Sequence, residues 1–205
     1  MNYTKYSIGS SSLQLSIILF CTAIGLLLSP AYGFSEDSVR VKTYLQPVLL
    51  TSAGQAADVM ILRGLALRAG LDIKYRPNAT ADSLNDVKAV ILVAGGSSKG
   101  LGAAKIDVKD EESRIKKLVK AAEKAKLPVL VFHIGGEARR GALSDPFNKL
   151  AADAGELIIV IKGGDDDGMF KKIAAERKAA YRSVDKQIAL VDVLKEIFPK
   201  AEAKP

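Results

Sequence analysis

Apolar runs alternate with amphipathic segments along most of this chain, the pattern of strands that alternate with helices. Five of the runs predict strands. They span residues 47–52, 71–75, 89–94, 128–134 and 157–162, and a short sixth strand near 181–184 is a further candidate. The run 89–94 is continuously apolar, as a strand buried on both faces of a parallel sheet is, and the run 71–75 is short and mixed enough to be an edge strand. We predict an α/β fold: a single three-layer α/β/α domain with helices on both faces of the sheet. The sheet is open and mostly parallel, with about five strands in the order 2-1-3-4-5.

Capping residues and charges between these runs predict where the helices begin. Ser52 and Gln55 have the spacing of a capping box, which would open a helix that ends at Gly70. Further helices are predicted from Asp107 or Asp110, from Ser144, over about 169–179 and over about 186–198. The third strand runs instead into a loop with four glycines over residues 95–102, and no helix is expected directly behind it.

The first 33 residues have the three-part form of a secretory signal. A polar start precedes a largely apolar run over 15–28, and Ala31 and Gly33 supply small residues at positions −3 and −1 of a cleavage site. We therefore expect cleavage after Gly33 and an extracytoplasmic protein, periplasmic or secreted. The alternative is that the segment stays uncleaved as an anchor, and only in that case do we expect membrane association. The predicted organisation is a signal peptide (1–33), a lead-in (34–46), the α/β domain (47–199) and a frayed tail (200–205).

Composition excludes several kinds of chemistry. The chain has a net charge of +7, one histidine and one cysteine, and Cys21 lies within the signal segment. After cleavage no cysteine would remain, so disulfides, thiol catalysis and zinc sites are not expected. The chain has no tryptophan, and without stacking platforms we predict no nucleic-acid partner. Nucleotide cofactors are scarce outside the cytoplasm, and none is predicted.

The polar residues collect behind the strands, and the carboxyl ends of parallel strands meet at one edge of a sheet. Glycine amides and basic side chains at that edge would hold a small anionic molecule. The predicted ligand-binding residues are Ser52, Gln55, Gly96, Ser97, Ser98, Lys99, Gly100, His133, Arg139 and Arg140. Each has a structural alternative: Ser52 and Gln55 as helix caps, His133 as a hydrogen-bonded core residue, and the arginines as surface charge.

Two catalytic patterns overlap in the loop 96–102. Its glycines match the fingerprint of short-chain dehydrogenases, but no tyrosine in the chain is followed four residues later by lysine, as that family requires. Residues 96–100 also match the G-x-S-x-G nucleophile elbow. A hydrolase would use Ser98 or Ser97 with His133 as base and Asp165 as acid, although an elbow enzyme has its acid before the histidine. Residues 165–167 begin like a calcium loop, but Met169 replaces an oxygen ligand, so no metal site is predicted.

Four segments carry a family resemblance: 51–55, 95–104, 133–141 and 167–168. Together they resemble an uncharacterised family of exported bacterial proteins that is classed as a domain of unknown function. The resemblance covers nearly all of the chain after the signal segment. It implies a Rossmann-like or flavodoxin-like domain with a site shared by these loops, and it implies no reaction. A protein-interaction domain, such as an accessory to a membrane transporter, is the third hypothesis beside binding module and hydrolase.

Overall fold

The structure is a computed structural model that describes residues 42–200. The predicted signal peptide (1–33), most of the lead-in (34–41) and the end of the predicted tail (201–205) lie outside the described residues. Cleavage after Gly33 therefore stays a prediction, and all statements below concern residues 42–200.

A six-stranded sheet forms the centre of this part of the chain. Its strands are β1 (Val48–Ala53), β2 (Ile73–Tyr75), β3 (Ala89–Ala94), β4 (Val129–His133), β5 (Leu157–Ile161) and β6 (Ala180–Val184). Every neighbouring pair is parallel, and the strand order is β2-β1-β3-β4-β5-β6. The predicted order of the first five strands is confirmed. The sheet has six strands where about five were predicted, and the sixth is the candidate near 181–184. Strand β6 is half-exposed along most of its length, as an edge strand is, so it lacks the continuous apolar run that marks a buried strand.

Helices cover both faces of the sheet, which confirms the three predicted layers. They are α1 (Asp58–Ala69), α2 (Ser98–Ala104), α3 (Val108–Lys124), α4 (Asp145–Ala152), α5 (Met169–Arg177) and α6 (Leu190–Ile197). Helices α1 and α6 pack on one face, and the other four pack on the opposite face. Within residues 42–200, no helix has both the length and the apolar character that a membrane crossing requires.

The two apolar cores follow from the alternation of side chains along the strands. In β3, Ile91 and Val93 belong to the core under α1 and α6, whereas Val90 and Leu92 belong to the core on the opposite face. Because both faces are covered, the strand is apolar at every position. This is the physical reason that continuous apolar runs located the central strands.

Two local predictions are corrected by the structure. Ser52 lies inside β1, and Gln55 has a left-handed backbone with φ of 61°, so the pair forms no capping box and α1 begins at Asp58. The glycine-rich loop also runs directly into a helix, since α2 begins at Ser98. The Ser97 hydroxyl accepts a hydrogen bond from the Gly100 N–H at 3.1 Å and caps this helix. Glycine disfavours helices, which is why the glycine count predicted a loop.

Candidate functional site

Strands β1 and β3 lie side by side at the point where the strand order reverses. From β1 the chain continues to β2 at one edge of the sheet, and from β3 it builds the sheet towards the other edge. Open parallel sheets form their ligand crevice outside the carboxyl ends of such strands. The loops 54–57 and 95–97 meet here, and we call them the switch-point loops. Gln55 and Gly96 form an antiparallel bridge, and the Ser97 N–H donates to the Gly54 carbonyl at 2.8 Å.

A buried ion pair on α3 holds the first of these loops. The Glu111 carboxylate has no exposed surface and accepts hydrogen bonds from the Gly54 N–H at 2.8 Å and the Gln55 amide at 3.1 Å. Arg114 donates to the same carboxylate from Nε and Nη2, each at 2.7 Å, and its Nη1 donates to the Ala79 carbonyl at 2.7 Å. Burial raises the pKa of Glu111, but these donors and the charge of Arg114 outweigh it, and the pKa is lowered.

The sequence analysis did not single out Glu111, since acidic side chains are common in the first turn of a helix. A signal was present: Glu111 continues the apolar stripe of Ile115 and Leu118 by one turn, at i, i+4 and i+7. A carboxylate on the buried stripe of a helix needs a partner inside the protein.

Close backbone packing fixes the second switch-point loop. A Cβ at Gly100 would overlap the Gln55 carbonyl oxygen, and one at Gly96 would lie 2.8 Å from the Leu143 carbonyl oxygen. The Gly96 N–H also donates to the Ser144 hydroxyl at 3.1 Å. Both predicted glycines are therefore required by close backbone contacts, Gly100 of α2 against the first switch-point loop and Gly96 against the segment before α4.

His133 is fully buried at the end of β4. Its Nδ1 lies 3.1 Å from the Ala94 carbonyl oxygen and its Nε2 lies 3.2 Å from that of Gly136. The ring packs against Phe170 with 4.8 Å between centroids. Burial lowers the pKa of His133; the two carbonyls oppose that shift without reversing it. Since backbone oxygens face both ring nitrogens, the imidazole makes no hydrogen bond with Ser97 or Ser98.

The two predicted arginines form ion pairs with carboxylates. Arg139 Nε donates to Asp58 Oδ2 at 2.6 Å. Arg140 Nε donates to Asp145 Oδ1 at 2.8 Å, and its Nη2 donates to Asp167 Oδ2 at 2.8 Å. Hydrogen bonds from Arg140 lower the pKa of Asp167 to about 2. These pairs join the loop after β4 to α1, to α4 and to the loop after β5, so each guanidinium group has a carboxylate partner within the protein.

Ser98 and Lys99 differ from the other polar candidates. Both are exposed on α2, and neither side chain has a hydrogen-bond or ion-pair partner within residues 42–200. Gly102, one turn further on, is exposed as well, and a Cβ there would meet no atom within 4 Å. We call Ser98, Lys99 and Gly102 the outer face of α2.

The remaining candidates, Ser52 and Asp165, are buried in the protein or bonded to its backbone. The Ser52 side chain is completely buried, and its hydroxyl has no partner in the part of the chain that the structure describes. Asp165 accepts the N–H groups of Phe170 at 2.7 Å and Lys171 at 3.0 Å, and so caps the start of α5. No group of three or more potential metal ligands occurs in the described range. The predicted residues all lie near the carboxyl edge, but the buried Ser52 and His133 do not share an open cleft with Lys99.

An open cleft of about 870 Å³ lies elsewhere, at the amino edge of β3 and β4. Half-buried apolar side chains form part of its lining, and charged residues of both signs surround it. Among the lining residues are Lys42, Tyr44, Lys126, Leu127, Leu150 and Glu156. It contains none of the residues that the sequence motifs marked.

Fold and site together define a Rossmann-like parallel α/β domain whose motif residues surround the switch point of the sheet. The chain belongs to the family described as a domain of unknown function (DUF6305), whose model matches residues 45–198. The family resemblance inferred from the four motif segments is thereby confirmed, and export remains a prediction. No curated protein matches the chain.

Several solved structures show a distant likeness. A psychrotrophic esterase EstA from Pseudoalteromonas sp. is 13% identical, with 73% of this chain and 92% of the esterase covered and a TM-score of 0.30. A mutant of the esterase AlinE4 is 11% identical over 80% and 87% of the two chains, with a TM-score of 0.30. A Schiff-base-forming fructose-1,6-bisphosphate aldolase is 14% identical over 78% and 93%, with a TM-score of 0.32. At these scores the likeness supports no conclusion about activity.

Proposed function

We propose that the domain is a binding module that takes a small anionic molecule at the outer face of α2. Lys99 supplies the positive charge and Ser98 a neighbouring hydroxyl. The proposal rests on which polar side chains have partners. Lys99 and Ser98 have no hydrogen-bond or ion-pair partner within residues 42–200, whereas His133 contacts backbone carbonyls and Arg140 pairs with carboxylates. An uncompensated ammonium group gains most from an anionic partner.

Rigidity of the surrounding loops supports the same proposal. The Glu111 carboxylate, the bridge between Gln55 and Gly96, and the close contact at Gly100 fix the backbone from which α2 starts. A ligand that binds to a fixed surface loses less free energy to the ordering of loops. Gly102 adds no side chain to this surface, so a ligand can approach the helix closely.

The other residues that the sequence marked have supporting roles in this proposal. Gln55, Gly96 and Gly100 shape the switch-point loops, and Ser52, His133 and Arg140 lie behind them. Arg139 is a second candidate cation, because Asp58 occupies its Nε while its two Nη atoms have no partner within residues 42–200. The proposal includes a location outside the cytoplasm, which rests on the signal-like residues 1–33.

The hydrolase alternative needs a serine activated by His133. In this structure the His133 ring nitrogens face the Ala94 and Gly136 carbonyls, and Ser98 lies on the exposed side of α2. No observation in the described residues favours that alternative over binding. Ser98→Ala separates binding from hydrolysis by Ser98, since it would abolish any hydrolysis that depends on that hydroxyl and would change the affinity for an anion only slightly.

A thermal-shift screen of carboxylates, phosphates and sulfonates on the full chain tests the proposal. A ligand at about one hundred times its dissociation constant stabilises the folded state by about 2.7 kcal/mol. Lys99→Met removes the charge and keeps most of the side-chain volume, and we expect it to weaken binding by about 1.5–3 kcal/mol. Lys109→Met, the same change at an exposed position of α3, is the matched control. If Lys99→Met and Lys109→Met leave the same ligand response, the site is not on α2.

A further inference from the structure

Helix α1 exposes apolar side chains on the face that points away from the sheet. Met60, Ile61 and Leu67 are 50%, 43% and 53% exposed, and Gly64 between them is exposed too. We call these four residues the outer face of α1. A helix on the surface of a globular protein normally has polar residues on this side. A contiguous apolar surface of this kind is typical of a face that contacts something else.

Basic side chains surround this face. Arg63 and Arg68 lie on the same helix, and Arg76 directly follows the edge strand β2. Arg63 stacks over Tyr75 at 5.0 Å, and none of the three arginines has an ion-pair partner within residues 42–200. Asp58, the acidic residue of this helix, already pairs with Arg139.

We propose that the outer face of α1 docks on an anionic lipid surface. Aliphatic side chains flanked by arginines are the composition of helices that lie in the membrane interface, where the chains enter the acyl boundary and the arginines meet lipid phosphates. The positive border of the face is complementary to such a surface. This docking is independent of whether the segment 15–28 is retained as an anchor.

The same observations disfavour two other occupants of this face, a protein partner and a second copy of this chain. Protein partners usually engage aromatic or arginine anchors in pockets, whereas the described clefts lie at the amino edge of the sheet and between α4 and α5. A second copy of this chain would bring the same arginines towards each other, which costs free energy. A lipid surface satisfies both the apolar centre and the basic border.

The test uses the full chain with a single fluorescent reporter, because the protein contains no tryptophan. Ile61→Trp places the reporter on the proposed face. Lys120→Trp places it on an exposed position of α3, on the other side of the sheet. The apolar residues 15–28 can bind vesicles themselves, so contact is measured at the reporter, by the blue shift of emission and by quenching with brominated lipid. The vesicles are phosphatidylcholine, with and without phosphatidylglycerol.

We expect a blue shift and strong quenching at position 61 with phosphatidylglycerol vesicles, and little of either at position 120. Adding Arg63→Gln and Arg68→Gln to the Ile61→Trp reporter should lower the affinity for the vesicles roughly thirtyfold. Each cation near an anionic lipid surface contributes about five- to sixfold in affinity, and two cations are removed. Gly64→Ala is the control for folding and for helix docking, because its Cβ meets no atom within 4 Å. If the face contacts lipid, Gly64→Ala should leave that contact unchanged. If the face packs against another helix, the added methyl group would weaken the packing.

Three results would overturn the proposal. Equal quenching at positions 61 and 120 would mean that the N-terminal segment holds the domain near the bilayer without a preferred face. An emission shift at position 61 that grows with protein concentration and needs no vesicles would assign the face to a second copy. No shift at position 61 under any condition, with circular dichroism showing a folded protein, would leave the face solvated.

Discussion

Replacing Glu111 by glutamine tests whether one buried carboxylate holds the switch-point loop. The substitution keeps the size of the side chain and removes its charge. In the wild type, Gly54, Gln55 and Arg114 donate hydrogen bonds to the two carboxylate oxygens. The glutamine amide has only one acceptor oxygen for these donors, and its NH2 group would face other N–H groups. Arg114 remains in place with its side chain 11% exposed and without its counter-charge.

The expected loss follows from that burial. Breaking a buried ion pair by removing one partner costs about 3–5 kcal/mol. Because the amide still accepts one hydrogen bond, we expect Glu111→Gln to lose about 3 kcal/mol, a large share of the roughly 5–15 kcal/mol by which domains are stable. In a domain of this size the melting temperature should fall by about 6–12 °C. Adding Arg114→Gln should cost less than the sum of the two single changes, since the uncompensated charge is then removed.

The neighbouring residue supplies a matched control. Glu112 pairs with Lys116 at 3.3 Å on the exposed side of the same helix, and its side chain is 32% exposed. Glu112→Gln should lose only about 0.3–0.5 kcal/mol. Urea unfolding at pH 7, followed by circular dichroism, measures both variants. If the two glutamine variants lose the same free energy of unfolding, the carboxylate of Glu111 does not hold the loop and the reasoning is refuted.

The same pair gives a pH dependence with a definite sign. The pKa of Glu111 is lower in the folded protein than its ordinary value of 4.5. A carboxylate of this kind contributes stability above its unfolded pKa, and that contribution is lost as the pH falls towards the folded pKa. The difference in stability between the wild type and Glu111→Gln should therefore be constant at neutral pH and shrink below about pH 4.5. A difference that stays constant down to pH 3 would contradict an ionised Glu111 as its source.

Two further predictions concern the glycines of α2 and the predicted cleavage after Gly33. Gly100→Ala should destabilise the domain by about 1–3 kcal/mol because its Cβ would overlap the Gln55 carbonyl oxygen. Gly102→Ala, which meets no atom within 4 Å, should be neutral or stabilising by up to about 1 kcal/mol; thermal melts that rank the two the other way would contradict the loop packing. N-terminal sequencing of the extracytoplasmic protein should begin at Phe34, and recovery of Met1 in a membrane fraction would show an uncleaved anchor.

The positions of the central strands were predictable because they depend on a property that each segment carries by itself. A strand that is covered on both faces must be apolar at every position, so β3 and β5 are visible as runs in the sequence. The same holds for α3, where Asp107 caps the helix and Glu111 precedes an apolar stripe. Strand β6 was less visible, because an edge strand needs only part of its surface to be apolar.

Which polar groups have no partner among the described residues was decided by the tertiary structure alone. His133, Arg139 and Lys99 are all polar residues behind strands, and nothing local distinguishes them. Arg139 pairs with Asp58, 81 residues away, and Gly54 donates to Glu111, 57 residues away. A buried charge or a buried N–H must find a partner inside the protein, but chain folding chooses that partner from distant segments. Sequence patterns therefore located the edge of the sheet where polar groups gather, and the three-dimensional packing determined that Ser98 and Lys99 have no partner there within residues 42–200.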